Sequence, residues 1–369
     1  MILVSILGDF HSSVLPIFYN FKDQVSKHLL IYDDSKKDIQ NAKNINNGIK
    51  KFIKKNKCSF LQLDYKLDED SMNALDKCAK YILSLSDNPK EIYINTTDGY
   101  STLTTIINHK LFKHGVNFIA YDMYDNQYNL LNKEGLETKN IELTLNIENH
   151  FLLKGYKVEK SSLKNFANKH KESIIKIFES LSELYNDFTK LNPMIYPTIA
   201  DLRGKHEKIR NIFLEMEPEF AKYSISNSLL TGGLFECYIY LLLKDMDYDD
   251  IELGLEVFQQ YNNAEIKNEF DVLVMKDNHL HMVECKFKNS IKVDELVYKY
   301  TALVNIIDED GKMAIVTKKP PRYENDIIDH HQTKGLVYKR GRLNNIYFYG
   351  NVHNNKSKFQ KEIRKLFGI

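Results

Sequence analysis

Long apolar runs are missing from this 369-residue chain. No stretch approaches the roughly 18 apolar residues of a membrane span, and the start "MILVSIL" is too short and too lightly charged for a secretory signal. A cytoplasmic protein with no membrane partner is the expectation. Proline is scarce as well, at seven residues, and no tract is compositionally biased, which excludes collagen-like and low-complexity architectures. Only four cysteines occur, Cys58, Cys78, Cys237 and Cys285. They form no C-x-x-C pair and no zinc spacing, so reduced, buried thiols are expected instead of a disulfide framework. Net charge is nearly absent too, at +1, which neither favours nor excludes a polyanionic partner. The distribution is uneven, however. From Lys318 to Ile369 there are twelve Lys/Arg against four Asp/Glu, a segment suited to following a phosphate backbone without reading bases. No internal repeat is present.

What the chain does have is alternation. Up to about residue 135, short apolar runs ("ILVSIL", "HLLIYDD", "CSFLQLD", "EIYINTT", "VNFIAYDM") separate helical stretches, the pattern of βαβ units and a Rossmann-like parallel sheet. From about 145 to 225 the apolar residues recur at spacings of three and four, broken by Pro193 and Pro197, as in connector helices. After residue 228 follow an apolar helix, "LLTGGLFECYIYLLLKD", the strands "FDVLVM" and "HLHMVECKF", a helix, the strands "KMAIVT" and "NIYFYG", and an amphipathic C-terminal helix. The division expected is 1–145, 146–227 and 228–369.

A nicotinamide cofactor needs G-x-G-x-x-G after the first strand. Here "ILVSILGDFHSSVLPIFY" offers Gly8, then Asp9 and the hydroxyls of Ser12 and Ser13. The fourth strand ends in "INTTDGYST", where Asn95, Thr96, Thr97, Asp98, Gly99 and Ser101 precede a helix. In a 3-2-1-4-5 sheet the two loops meet at the switch point, and backbone N–H groups at helix starts favour a phosphate there. Asn and Thr at such places also serve as plain turns and caps, and spacing alone leaves both readings open.

In the third region, a two-residue loop at Asp277-Asn278 would set Asp271 opposite Glu284. Their Cβ atoms would then lie about 4.5 to 5.5 Å apart, where like charges repel unless a cation lies between them. Lys286, two residues on, shares that face, and Cys285 points away. Two carboxylates and a lysine suit Mg²⁺ and phosphodiester hydrolysis, the lysine orienting a water as the ammonium or deprotonating it as the free amine. Glu236, inside an apolar helix, needs a cation or donor as partner, and Gly232 and Gly233 would permit close approach there. In the bland alternative Glu269 pairs with Lys286 as a surface bridge while Asp271 and Glu284 are merely solvated.

Asp271, Glu284, Lys286 and the helix acid Glu236 together resemble the PD-(D/E)xK nuclease superfamily, with Phe270 where a proline is usual. "TGGLFECYIY", "FDVLVM" and "VECKF" further resemble CRISPR ancillary nucleases that join an N-terminal CARF sensor to such a nuclease. The fold implied is an N-terminal Rossmann-like CARF domain, a helical connector and a C-terminal PD-(D/E)xK α/β domain. The resemblance implies a homodimer that binds cyclic oligoadenylate, with cyclic tetra-adenylate the favoured ring, and cuts DNA, RNA or both in type III CRISPR antiviral defence. The ring would contact Gly8, Asp9, Ser12, Ser13, Asn95, Thr96, Thr97, Asp98, Gly99 and Ser101; Asp98 departs from the glycine or basic residue frequent in that loop. Mg²⁺ or Mn²⁺ would sit on Asp271, Glu284 and the backbone carbonyl of Cys285, with Glu236, Asp271, Glu284 and Lys286 as the catalytic set. A CARF protein with a HEPN ribonuclease would carry R-x(4-6)-H, and neither Arg203 to His206 nor Arg322 to His330 has that spacing. A non-catalytic, ligand-responsive nucleic-acid-binding regulator is the remaining alternative.

Overall fold

The structure is a computed structural model, and it describes residues 1–8, 14–33, 36–52, 57–63, 69–99, 101–261, 264–287, 293–308, 311–318 and 339–369. By their internal contacts these form two compact units, Met1–Val158 with Val257–Lys267, and Glu159–Glu256 with Asn268–Ile369.

In the first unit the apolar runs become strands of a mostly parallel sheet, where a strand covered on both faces can be apolar throughout. The elements are β1 (Ile2–Ile6), α1 (Val14–Asn20), β2 (Lys27–Asp33), α2 (Lys36–Phe52), β3 (Lys57–Leu63), α3 (Glu69–Leu83), β4 (Ile92–Asn95), α4 (Ser101–Phe112), β5 (Asn117–Asp122), β6 (Gln127–Asn132), β7 (Gly135–Asn140) and α5 (Ile147–Leu153). Strand order is β3-β2-β1-β4-β5-β6-β7. The first five strands are parallel, in the Rossmann-like order expected, and β6 and β7 extend the sheet as an antiparallel hairpin. Every residue of β1 is buried, and Val4, Ile6, Leu29, Ile31, Ile92 and Ile94 form the core with Leu103, Ile107 and Leu111 of α4.

The second unit holds α6 (Leu163–Lys169), α7 (Lys171–Ser180), α8 (Ser182–Phe188), α9 (Glu207–Met216), α10 (Leu234–Leu243), β11 (His279–Lys286), α11 (Val293–Ile307), β12 (Met313–Thr317), β13 (Ile346–Gly350) and α12 (Lys356–Phe367), with those parts of β8 (Lys157–Lys160), β9 (Asp250–Tyr261) and β10 (Ala264–Lys276) that lie in Glu159–Glu256 and Asn268–Ile369. Its sheet runs β13-β12-β11-β10-β9-β8. Strands β10 and β11 form an antiparallel hairpin, with Val272 opposite Val283 and Lys276 opposite His279. The turn residues Asp277 and Asn278 both have positive φ, 51° and 65°, as a two-residue type I′ turn requires. Strands β11, β12 and β13 are parallel and in register, Lys286 with Thr317 and Thr317 with Gly350.

The helices between 163 and 222, expected as a connector, belong to this unit's core. Ala167, Ile174, Phe178, Tyr185, Phe188, Ile212 and Phe213 pack in one cluster with Leu234, Tyr238 and Leu242 of α10 and Val272, Val283 and Val316 of the sheet. Cys78, Cys237 and Cys285 are free and buried. Among the described residues no helix is long and apolar enough to cross a membrane.

Candidate functional site

The hairpin β10-β11 brings the acids together because its register is fixed twice, by the turn and by the apolar face that Val272, Val274, Val283 and Cys285 contribute to the core. The side chains between them face the other way. Asp271 Oδ2 accepts the Cys285 backbone N–H at 2.7 Å. Glu284 is 5% exposed, and its Oε1 accepts both the Lys286 ammonium and the Tyr300 hydroxyl. Lys286 therefore pairs with Glu284, and a solvated Glu284 with a Glu269–Lys286 surface bridge is not what forms.

Glu236 enters from α10. The segment before it, Leu229–Gly233, is a π-helical turn, the kind of irregularity that collects at functional sites. The Tyr185 hydroxyl donates to the Leu230 carbonyl within that turn. Gly232 and Gly233 are expected to let another backbone or a substrate approach closely, and no other backbone among the described residues does so. Instead, a Cβ on Gly232 would meet Glu236 Oε1 at 3.6 Å, an ordinary contact, and one on Gly233 would meet Leu229 Cδ1 at 3.1 Å; the two glycines belong to the π-turn.

The electrostatics show that the four groups share one place. Burial, then the Glu269 and Glu284 carboxylates, push the Glu236 carboxyl up to about 7, against the pull of Lys286. Asp271 is raised well above the ordinary carboxylate range by burial, then by Glu284 and Glu236. For Lys286 burial alone would lower the pKa, but Glu284 and Asp271 more than offset it, so the group stays an ammonium at neutral pH. Tyr300 is raised by burial and then by Glu284, so its phenol stays protonated.

Three carboxylates against one ammonium form a donor set short of positive charge. No three His, Cys, Asp or Glu side chains among the described residues converge as a ready metal cage. A cation that keeps most of its waters needs only one or two carboxylates, and Asp271 and Glu284 are the two here that could hold one.

Two residues of this centre escaped the sequence reading. Tyr300, in "VDELVYKYTALVNII", has the spacing of a core aromatic, and nothing in the sequence pairs it with Glu284. Phe287 packs its ring 5.8, 5.3 and 5.0 Å from Phe178, Tyr185 and Phe235 and so pins the strand end that carries Lys286. The Lys318 ammonium lies 5.5 Å over the Phe287 ring.

In the first unit, β1 and β4 are adjacent, Ser5 beside Asn95, so their following loops do meet at the switch point. Asp98 Oδ2 accepts the Gly8 N–H at 2.7 Å. Asn95 is fully buried: its Oδ1 accepts the Thr97 N–H at 3.1 Å and the Thr97 hydroxyl at 2.6 Å, and its Nδ2 donates to Val14 O at 3.5 Å. The Thr97 hydroxyl oxygen accepts the Tyr121 N–H at 2.8 Å, and the Thr96 hydroxyl donates to Ile119 O at 3.1 Å. Asn95 and Thr97 are thus the frame of the loop, Gly99 turns it with φ +101°, and Ser101 is exposed at the start of α4. Asp9, Ser12 and Ser13 lie outside the described residues, as does 319–338 of the basic segment. The exposed bases Lys339, Arg340 and Arg342 follow it.

The first unit thus carries a Rossmann-like sheet and the second an acidic centre on an α/β hairpin. Residues 224–341 match the family model described as the Card1-like endonuclease domain, so the chain carries a Card1-like endonuclease domain. No curated protein matches the sequence. Among solved structures the chain is similar to the protein VC1899 from Vibrio cholerae, with TM-score 0.74, 14% identity and coverage of 100% of this chain and 98% of that one. It is also similar to Can2 from Sulfobacillus thermosulfidooxidans in complex with cyclic tetra-adenylate, with TM-score 0.67, 16% identity and coverage of 99% and 98%. A type III CRISPR defence DNA nuclease activated by cyclic oligoadenylate gives TM-score 0.53 and 12% identity, over 88% of this chain and 47% of that one. These likenesses establish a shared fold.

Proposed function

We propose that the chain is a homodimeric, metal-dependent PD-(D/E)xK nuclease of type III CRISPR defence, switched on by cyclic oligoadenylate, with cyclic tetra-adenylate as the activator. The observation that carries the nuclease reading is the convergence of Glu236, Asp271, Glu284 and Lys286 at one buried edge of the hairpin, where burial and mutual repulsion raise Glu236 and Asp271. Asp271, Glu284 and the Cys285 carbonyl would hold Mg²⁺ or Mn²⁺. The ion, when bound, supplies Lewis-acid polarisation of a phosphodiester and an activated water.

The chain's own residues do the rest. Asp271 is held by the Cys285 N–H, which fixes one carboxylate relative to the strand bearing the other. Lys286, kept as an ammonium, orients the water or neutralises charge on the phosphate. Glu236, with a pKa of about 7, can hold or release a proton at its carboxyl near neutral pH. In the sensor, the Asp98–Gly8 bond and the Asn95–Thr97 frame tie the end of β1 to the loop after β4, and exposed Ser101 at the start of α4 is placed to meet an anionic ring. Can2 in complex with cyclic tetra-adenylate and the type III CRISPR nuclease activated by cyclic oligoadenylate, which share the fold, support the cyclic oligoadenylate assignment.

The test is incubation with supercoiled plasmid and with single-stranded RNA, each with and without cyclic tetra-adenylate and Mn²⁺. Cleavage that needs both ring and metal supports the reading. EDTA-insensitive binding of nucleic acid without cleavage would instead identify a ligand-responsive regulator.

A further inference from the structure

Glu284 divides its two oxygens. Oε1 receives the Lys286 ammonium and the Tyr300 hydroxyl together, whereas Oε2 takes no hydrogen bond among the described residues. Tyr300 comes from α11 and is 1% exposed. Its own oxygen is met by Lys299 Nζ at 3.4 Å, and the same ammonium lies 4.8 Å over its ring. A phenol donating to a buried carboxylate makes a charge-assisted bond, stronger than a neutral one. The terminal torsion of a glutamate is soft and roughly two-fold, so a carboxylate held by one lysine alone would turn whenever that lysine moved.

We propose that Tyr300 is the positioning residue of the centre: it anchors Glu284 through Oε1, leaving Oε2 for a divalent cation and letting Lys286 leave the carboxylate for the substrate without Glu284 rotating. This rests on the nuclease reading above and adds to it the residue that fixes the metal-binding carboxylate. The motif residues Asp271, Glu284 and Lys286 supply charge, but none of them can hold Glu284 still while Lys286 is elsewhere. A tyrosine from a different helix can.

The test uses the full chain with Tyr300→Phe, which removes one oxygen and keeps the ring. Mn²⁺ affinity measured by calorimetry is expected to weaken about tenfold, about 1.4 kcal/mol, with kcat lower by about tenfold and KM for nucleic acid within about twofold. A hydroxyl that served only packing would move none of these. A second measurement needs no loss of the phenol: 3-fluorotyrosine placed at position 300 should show a ¹⁹F resonance that moves with Mg²⁺ and saturates where the metal does, and the response should vanish with Glu284→Gln. A folded Tyr300→Phe chain with Mn²⁺ affinity and kcat within about twofold of wild type, or a ¹⁹F signal indifferent to Mg²⁺, overturns the proposal. If the wild-type chain binds Mn²⁺ through Glu284 but cuts nothing, the nuclease reading falls while affinity and resonance still decide the role of Tyr300. A wild-type chain that binds no Mn²⁺ overturns both.

Discussion

The Asp271 carboxylate accepts the backbone N–H of Cys285 at 2.7 Å, Asp271 standing one residue and Cys285 two residues beyond the last registered pair of the hairpin, Val272 with Val283. A side chain here does the work of a ladder carbonyl, and it does so while facing two other carboxylates. Asp271→Asn keeps an acceptor for that N–H and removes only the charge. Cleavage should fall by about 100-fold or more, about 2.7 kcal/mol. The melting temperature should hold or rise by a few degrees, since a buried carboxylate beside Glu284 and Glu236 opposes folding. Plasmid cleavage and scanning fluorimetry check both, and wild-type cleavage by the Asn variant would remove Asp271 from the centre.

Glu284 and Lys286 separate metal binding from turnover. Because Glu284 satisfies both Lys286 and Tyr300, Glu284→Ala would orphan two donors. Glu284→Gln is the cleaner change, expected to abolish cleavage and Mn²⁺ binding in a folded chain. Lys286→Met should lower kcat by about 100-fold yet leave Mn²⁺ affinity unchanged or tighter, because the ammonium's positive charge on the same carboxylate opposes a second cation there. Loss of Mn²⁺ binding in the Met variant would make Lys286 a structural counter-ion and nothing more.

The hairpin was legible in the sequence because its information is local: Asp-Asn at the turn sets the register, and the register sets Asp271, Glu284 and Lys286 on one face. The five parallel strands were legible as uninterrupted apolar runs. The extension β6-β7 was not, because β7, "GLETKN", is exposed at every position and offers no apolar alternation. Strand β9 was missed although "DIELGLEVFQQY" alternates. The helices taken for a connector carry helical spacing correctly, but periodicity reports that a face is buried and not what buries it; here it is the α10 side of the second unit. Tyr300 and Asn95 show the same limit from opposite sides. One looks like core and touches the carboxylate, while the other looks like a ligand donor and is committed to the loop itself.

Acid should weaken each unit through a buried histidine. Burial holds His28 in the first unit and His281 in the second at about 3, below the ordinary 6.5. His281 lies flat on Phe367, ring centroids 4.6 Å apart, and accepts the Lys312 N–H at 3.1 Å through Nδ1. Both stay neutral when folded and take a proton when unfolded. Their contribution is therefore complete above pH 6.5 and is lost as pH falls from 6.5 toward 3, by up to about 1.4 kcal/mol per pH unit for each group. Thermal melts between pH 7.5 and 5 should show the decline. His281→Asn, which retains an acceptor, should flatten it, and an unchanged slope would mean that other groups govern acid sensitivity.

The sensor loops make a sharper prediction through Gly8 than through the polar residues around it. A Cβ on Gly8 would lie 2.6 Å from Asp98 Oδ1 and 2.7 Å from the Gly99 backbone nitrogen, too close for any real contact. Gly8→Ala must therefore push the loop after β1 away from the loop after β4 and break the Gly8–Asp98 bond. Overpacking of this kind costs about 1–3 kcal/mol, and here the displacement falls on the crevice where the ring is proposed to bind. Cyclic tetra-adenylate affinity should drop by about tenfold or more, with stimulation of cleavage falling in parallel, while Mn²⁺ binding reports whether the second unit stays folded. Asn95→Ala should act by the same route, loosening the turn that presents Thr97 to Tyr121 and lowering the melting temperature as well as the response. Asp98→Asn separates charge from geometry, since its side-chain oxygen can still accept the Gly8 N–H. Removing the negative charge from the crevice proposed to hold an anionic ring should tighten the ring or leave it unchanged. A Gly8→Ala chain that binds cyclic tetra-adenylate as the wild type does would show that the ring is held somewhere other than the ends of β1 and β4.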